Sequence, residues 1–335
     1  MQPGGRETIQ WGIIGCGDVV EFKSGPGLQQ AHGSSILAVT RRDSAKAEDF
    51  ARRHGIPRVH STADDLIADR DVQAVYIATP PSSHRDLALK VAAAGKPCLV
   101  EKPMAMTHAE CLEMVMAFEQ RGVPLWVAYY RRALPRFLEM RKLIDSGAIG
   151  RVTSVHVEVL DVLPAGPQTV GWRVDPATAG AGLLFDVGSH GLDMVDFLIG
   201  PIVQIAGVAR NTGGAYAAED VTVASFLCGD QVAGTGVWNF NTDRRGDTLT
   251  IRGTGGILAT SMFTDADVVL SRGASEQILT FRNPPYVHQP LIQTIVDEML
   301  GRGRCESAGP SGSRTSWALE QCVADYYRQA GDRVS

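Results

Sequence analysis

The chain has 335 residues, 44% of them hydrophobic, and a formal net charge of −5. That length buries two cores of ordinary domain size more readily than one, and an acidic balance with no long Lys/Arg run argues against a nucleic-acid partner. Six cysteines (Cys16, Cys98, Cys111, Cys228, Cys305, Cys322) are scattered without Cys-x-x-Cys spacing and read as reduced thiols.

No apolar run reaches the roughly 20 residues of a membrane span. The first residues are polar and glycine-rich rather than signal-like, so the cytoplasm is the expected compartment. There is no internal repeat. In the first third, Ile9–Ile14, Ile36–Thr40, Ala74–Ala78, Cys98–Val100 and Leu125–Ala128 are apolar runs too short for helices. Between them Ser44–His54, Ser83–Ala94 and Thr107–Gln120 carry apolar residues at helical spacing. Strands buried on both faces and separated by helices predict a doubly wound parallel sheet, a Rossmann-type domain over residues 1–128.

Beyond a helix at Pro135–Asp145 the rhythm changes. Val152–Leu160, Val203–Arg210, Val221–Leu227, Val232–Trp238, Thr248–Arg252, Val268–Ser271 and Ile278–Phe281 follow one another with Gly and Asp/Asn turns between most of them. Such turns suit hairpins, which predicts an α+β domain over 129–335 with a large, open, mainly antiparallel sheet. Helices at Gln289–Leu300 and Thr315–Gln329 close the chain.

The first strand runs into Gly12-Ile13-Ile14-Gly15-Cys16-Gly17-Asp18-Val19-Val20. Gly15 and Gly17 let the backbone turn sharply and let a pyrophosphate approach amide groups at a helix start, with Asp18 and Val19 completing the loop. Val20 stands where a dinucleotide fingerprint has its third glycine. That position governs helix packing rather than phosphate contact. The second strand ends in Thr40-Arg41-Arg42, with no carboxylate for an adenosine ribose. Guanidinium forks suit a 2′-phosphate, so NADP(H) is preferred, with NAD(H) as the alternative.

Two further strand ends carry Thr79-Pro80-Pro81-Ser82-Ser83-His84 and Glu101-Lys102-Pro103. The second half carries Gly171-Trp172-Arg173, then Gly180-Ala181-Gly182 and Asp186-Val187-Gly188-Ser189-His190. Over nearly the whole chain this pattern resembles the glucose–fructose oxidoreductase, inositol dehydrogenase and rhizopine-catabolism (Gfo/Idh/MocA) family. It departs from the family pattern at Val20 and Ala181, each in place of a usual glycine, and at Tyr129-Tyr130, where an Asn often precedes the arginine.

The resemblance implies that Thr79, Pro80 and His84 line the cofactor, that Glu101 contacts its ribose, and that Trp172 and Arg173 lie over the nicotinamide and substrate. Tyr130, Tyr286 and His288 are candidates for the substrate pocket. The implied activity is hydride exchange between a nicotinamide and a CH–OH or ketone of a sugar, inositol or related cyclic polyol.

Such a reaction needs a group that removes the hydroxyl proton and returns it. Lys102 suits the task if partly desolvated beside an oxidised nicotinamide, and His190 is the side-chain type that titrates nearest neutrality. Asp186 and His190 stand four apart and would share a helix face, toward one hydroxyl; Asp193 is placed to orient the imidazole. Lys102, Asp186 and His190 are thus the catalytic candidates, and Lys102, Tyr130, Trp172, Asp186, His190 and Tyr286 the substrate-binding ones.

A metal held by Asp186, His190 and His156 or Glu158 is a weaker alternative, because the spacing matches no compact site, and none is expected. A glycosidase using bound NAD through transient oxidation, and a non-catalytic dinucleotide sensor, remain the rival functions. An open sheet face would leave apolar area uncovered, so a homodimer or homotetramer is expected, with no nucleic-acid or membrane partner.

Overall fold

A computed structural model describes residues 8–332. Six short strands, β1 (Ile9–Ile14), β2 (Ser34–Thr40), β3 (Arg58–Val59), β4 (Ala74–Ile77), β5 (Cys98–Val100) and β6 (Leu125–Val127), form a parallel sheet in the order β3-β2-β1-β4-β5-β6. Alternate residues feed two cores. Trp11, Ile13, Tyr76, Leu99 and Trp126 belong to one; Ile14, Val75, Ile77, Val100 and Val127 belong to the other. Burial on both faces explains why β4, β5 and β6 read as continuous apolar runs. The helix Ser44–His54 is bounded by local chemistry, with the Asp43 carboxylate accepting from the Lys46 N–H and Gly55 at φ 65° closing its end.

Eight further strands form the second sheet: β7 (Val152–Val162), β8 (Ile202–Arg210), β9 (Val221–Cys228), β10 (Val232–Thr242), β11 (Gly246–Gly253), β12 (Gly256–Thr260), β13 (Val268–Arg272) and β14 (Ser275–Leu279). Their order is β14-β13-β12-β11-β7-β10-β9-β8. Every pairing is antiparallel except β7 with β10. Burial alternates along β7, Val155, Val157 and Val159 pointing inward, as a sheet covered on one face requires. Val203, Val208 and Val223 are exposed, and Val208 and Val223 are direct cross-strand partners.

Strand β3 and strand β12 were not expected. The first is two residues long, and Gly256-Ile257-Leu258-Ala259-Thr260 is a short hairpin return without a β-branched run. Strand β14 lies three residues earlier than Ile278–Phe281, its polar start paired to β13 at a sheet edge. The last helix begins at Gly309 instead of Thr315.

The chain separates into two compact units with boundaries other than a single cut near residue 128. One takes the chain up to Ala105, Ala109–Leu134 and Pro284–Ser313; the other takes Met106–His108, Pro135–Asn283 and the chain from Arg314. The physical reason lies in the helix Gln289–Met299, whose Leu291, Ile292, Ile295 and Val296 complete the first core beside Trp11 and Leu28. Among the described residues, no helix is long and apolar enough to cross a membrane.

Candidate active site

At the carboxyl end of β1, Gly15 adopts φ 94°, and a Cβ there would lie 2.8 Å from Thr79 Cγ2 and 2.9 Å from the Ala78 carbonyl oxygen. Only glycine serves this turn. A Cβ on Gly17 would meet no protein atom within 4 Å, so glycine there answers no packing need and fits the close approach of a phosphate. Asp18 is exposed and Val19 half-buried. Val20 is fully buried in the core, and its carbonyl accepts the Gly25 N–H across a wide π-type turn, Val20–Ser24. A Cβ on Gly25 would fall 2.3 Å from that carbonyl, and one on Gly27 would fall 3.1 Å from Gln289 N. The close packing usually served by the third glycine of the loop has moved to Gly25 and Gly27.

Thr40 is buried at the end of β2, and its carbonyl accepts the Gly15 N–H at 2.9 Å. Arg41 Nη1 donates to the Cys16 carbonyl at 2.8 Å, folding the guanidinium over the glycine loop. Arg42 is exposed.

Thr79 receives the Ser83 hydroxyl at 2.7 Å, beside Pro80. His84 is fully buried, with Nε2 2.7 Å from the Thr79 carbonyl and Nδ1 3.1 Å from that of Pro103. It therefore braces two strand-end loops. Burial holds it below the ordinary histidine value, so it is neutral at physiological pH and one ring nitrogen donates at a time.

Glu101 follows directly on β5. It is buried, one oxygen taking the Tyr76 hydroxyl and lying 3.5 Å from His288 Nε2, the other taking the Lys102 backbone N–H at 3.1 Å. Burial pushes its carboxyl up, but His288, Tyr76 and Lys102 together bring it down to about 2. Lys102 itself is half-buried at the head of a cis bond to Pro103. Tyr130 stacks on His288 with ring centroids 4.4 Å apart, and Tyr286 is half-buried two residues before it.

In the other unit, Asp186 lies in a second π-type turn, Leu184–Gly188, that runs into the helix Ser189–Leu198. The regular helix expected for Asp186 is thus widened there, as π-type turns often are at functional sites. Two glycines make room. A Cβ on Gly188 would lie 2.8 Å from Trp238 Cδ1, and one on Gly191 would lie 2.8 Å from Val157 Cγ1.

Asp186 Oδ2 pairs with Arg173 Nε at 3.1 Å, and the Arg173 guanidinium lies over the Trp172 ring at 5.0 Å. Arg173 is therefore a partner of the carboxylate within its own unit. His190 is buried, its ring edge-on to Phe263 at 6.1 Å. Arg136, 2% exposed, fixes the Phe263 loop by donating to the carbonyls of Met262, Thr264 and Ala266. Buried Asp193 takes the Thr315 hydroxyl at 3.4 Å.

Among the described residues no cluster of His, Cys, Asp or Glu suits a metal; His156 bonds the Thr235 hydroxyl at 2.9 Å along the sheet. Tyr76, Trp238 and Phe263 carried no sequence signal beyond aromatic character, and Arg136 none beyond its charge. Each acquires its place through partners far along the chain.

A glycine turn at the end of a parallel strand, followed by an eight-stranded sheet that carries an Asp–His turn, defines a two-unit dinucleotide-dependent oxidoreductase. The family described as "Oxidoreductase family, NAD-binding Rossmann fold" matches residues 9–129 and the "GFO/IDH/MocA C-terminal domain" matches 137–259. The chain belongs to the Gfo/Idh/MocA oxidoreductases.

It is 36% identical to an oxidoreductase of Formosa agariphila over 88% of this chain and 92% of that one. It is 26% identical to 1,5-anhydro-D-fructose reductase of Ensifer adhaerens over 94% of both. A solved levoglucosan dehydrogenase, in complex with NADH and levoglucosan, shares the fold with a TM-score of 0.87 at 21% identity, over 96% of this chain and 98% of that one.

Proposed function

We propose that this oxidoreductase exchanges a hydride between NADP(H) and a CH–OH or ketone of a sugar, inositol or related cyclic polyol. When bound, the nicotinamide supplies the hydride acceptor or donor, chemistry that side chains lack. Gly15, Gly17, Asp18 and Val19 would hold the pyrophosphate, and Thr79 and Pro80 would border it. The openness around Gly17 supports this. Arg41 and Arg42 would take the 2′-phosphate, supported by the Arg41 fork lying on the loop and by a strand end without a carboxylate.

The observation that carries the catalytic assignment is the Asp186 turn. A carboxylate ion-paired to Arg173 precedes, by one turn, a buried imidazole. Asp186 would accept a hydrogen bond from the reacting hydroxyl or tune His190, and Lys102 and His190 would take up and return its proton. Tyr130, Trp172 and Tyr286 would contact the substrate. Similarity to a 1,5-anhydro-D-fructose reductase supports a cyclic substrate.

A panel of sugars, inositols and their keto forms, followed by the absorbance of reduced nicotinamide with each cofactor, tests this; turnover with NADH alone would overturn the assignment of Arg41 and Arg42. Lys102→Met is expected to lower turnover about 100-fold or more with cofactor affinity nearly intact. The exposed valines of β8 and β9 support self-association, which light scattering at micromolar concentration checks. The six buried cysteines suit the cytoplasm.

A further inference from the structure

Glu101 is 6% exposed at the end of β5, and its charge is engaged from three parts of the chain. Tyr76 comes from the neighbouring strand β4; its hydroxyl also lies 3.0 Å from Ser24 Oγ, on the turn that follows the glycine loop. The Lys102 N–H comes from the next residue. His288 comes from the far end of the sequence, just ahead of the helix Gln289–Met299.

His288 is 3% exposed, and its ring is held from the side by Tyr130, itself 4.7 Å from the Arg131 guanidinium. Its Nδ1 is buried without a hydrogen-bond partner. A partnerless nitrogen is tolerated more easily as a lone pair than as an N–H. This places the ring proton on Nε2, aimed at Glu101.

We propose that His288 is a positioning residue for Lys102: by donating from Nε2 to one oxygen of Glu101, it holds that carboxylate so that the other oxygen fixes the Lys102 backbone N–H. The 3.5 Å separation is the longest of the three contacts. The Tyr130 stack keeps the imidazole from turning away from it. Besides His288, the groups that face Glu101 are the Tyr76 hydroxyl, Lys102 and the neutral His84. Without His288 the buried carboxylate loses a principal donor and takes up a proton. It then turns from acceptor toward donor, and the Lys102 backbone loses its anchor.

This rests on the role proposed above for Lys102, and two variants with two readouts separate the claims. His288→Phe keeps the stack and the volume but removes the donor; His288→Gln keeps a donor near the Nε2 position. With the best polyol of the panel, His288→Phe is expected to lower kcat about tenfold or more while KM for NADPH stays within about twofold. His288→Gln should recover most of that loss. A kcat unchanged in His288→Phe, or an equal loss in both variants, would overturn the proposal.

Infrared spectra at neutral pH give a readout independent of turnover. Beside the partly protonated Glu219 carboxyl, His288→Phe should show a further protonated carboxyl band that is absent from the wild type and absent again when Glu101→Gln is added. If that band appears although the panel yields no turnover, the catalytic role of Lys102 fails and the His288–Glu101 pairing stands. Absence of the band overturns the pairing whatever the turnover.

Discussion

Two glutamates, one in each unit, are almost entirely withdrawn from water yet hold their protons very differently. Glu101 lies between the Tyr76 hydroxyl, His288, the Lys102 N–H and the Lys102 charge, and its carboxyl falls to about 2. Glu219, 1% exposed, receives the Tyr327 hydroxyl at 2.6 Å and the Gly182 N–H at 3.0 Å, with Asp220 next in the chain. Burial pushes Glu219 up and the charge of Asp220 adds to it; Tyr327 and Gly182 pull it only partway back, to about 7.

Depth of burial is nearly the same for both. Donors and nearby charge together decide whether the proton stays: Glu101 has the Lys102 charge beside it, Glu219 the like charge of Asp220. Each glutamate supports a segment of the candidate site. Glu101 anchors Lys102, and Glu219 anchors Gly182, four residues before Asp186. A Cβ on Gly182 would lie 2.6 Å from the Glu219 carbonyl, so this anchor needs a glycine.

Removing the side chains gives the largest test of that contrast. Glu101→Leu strands a histidine, a hydroxyl and an N–H that served a buried charge, and should destabilise by roughly 3–5 kcal/mol. Glu219→Leu strands one hydroxyl and one N–H and should lose roughly 1–3 kcal/mol. Urea unfolding at pH 7 measures both; equal losses would break the comparison.

The pH dependence is next in size and opposite in sign. Glu219 has its folded value raised above 4.5, so its contribution is complete below about pH 4.5 and lost as pH rises through about 7. Between pH 5 and 8 the wild type should lose roughly 1–3 kcal/mol from this group, a loss that Glu219→Gln abolishes. Glu101 is depressed, so its contribution is present above about pH 4.5 and lost as pH falls toward 2. Glu101→Gln should flatten the acid limb and leave the alkaline limb unchanged.

Tyr327→Phe is the mildest change. Removing one donor lets the Glu219 carboxyl rise further, so the alkaline loss should still begin near pH 4.5 but run on to higher pH, with about 1 kcal/mol more stability lost at pH 8. A midpoint displaced to lower pH would show that Tyr327 does not support the ionised form.

Much of the first unit was legible locally. β1 and β5 begin and end on apolar residues, Gln10 being the one polar residue within them, because both faces of these strands are covered. The glycine loop, Glu101-Lys102-Pro103 and Asp186-Val187-Gly188-Ser189-His190 were visible as motifs, and the chain belongs to the family they resemble. The packing role read for Val20 is seen in its full burial in the core. The two glycines that replace its close approach, Gly25 and Gly27, emerged only from their neighbours in space.

By itself the sequence determined what depends on neighbours a few residues away: the strand and helix periods, the capping of Ser44–His54, the two-glycine turn and the identity of the reactive side chains. Tertiary structure alone decided which residues surround a buried charge. Glu101 is an anchored carboxylate because Tyr76 and His288 reach it from distant parts of the chain. His84 is a brace, since two loops close over both its ring nitrogens. The apolar stripe of Gln289–Met299 shows that one face must be buried but not against which core. Hydrophobic burial is non-directional and sums over area, so it can be read from a pattern. The state of a buried polar group depends on the few atoms within hydrogen-bond reach, and only the assembled chain supplies them.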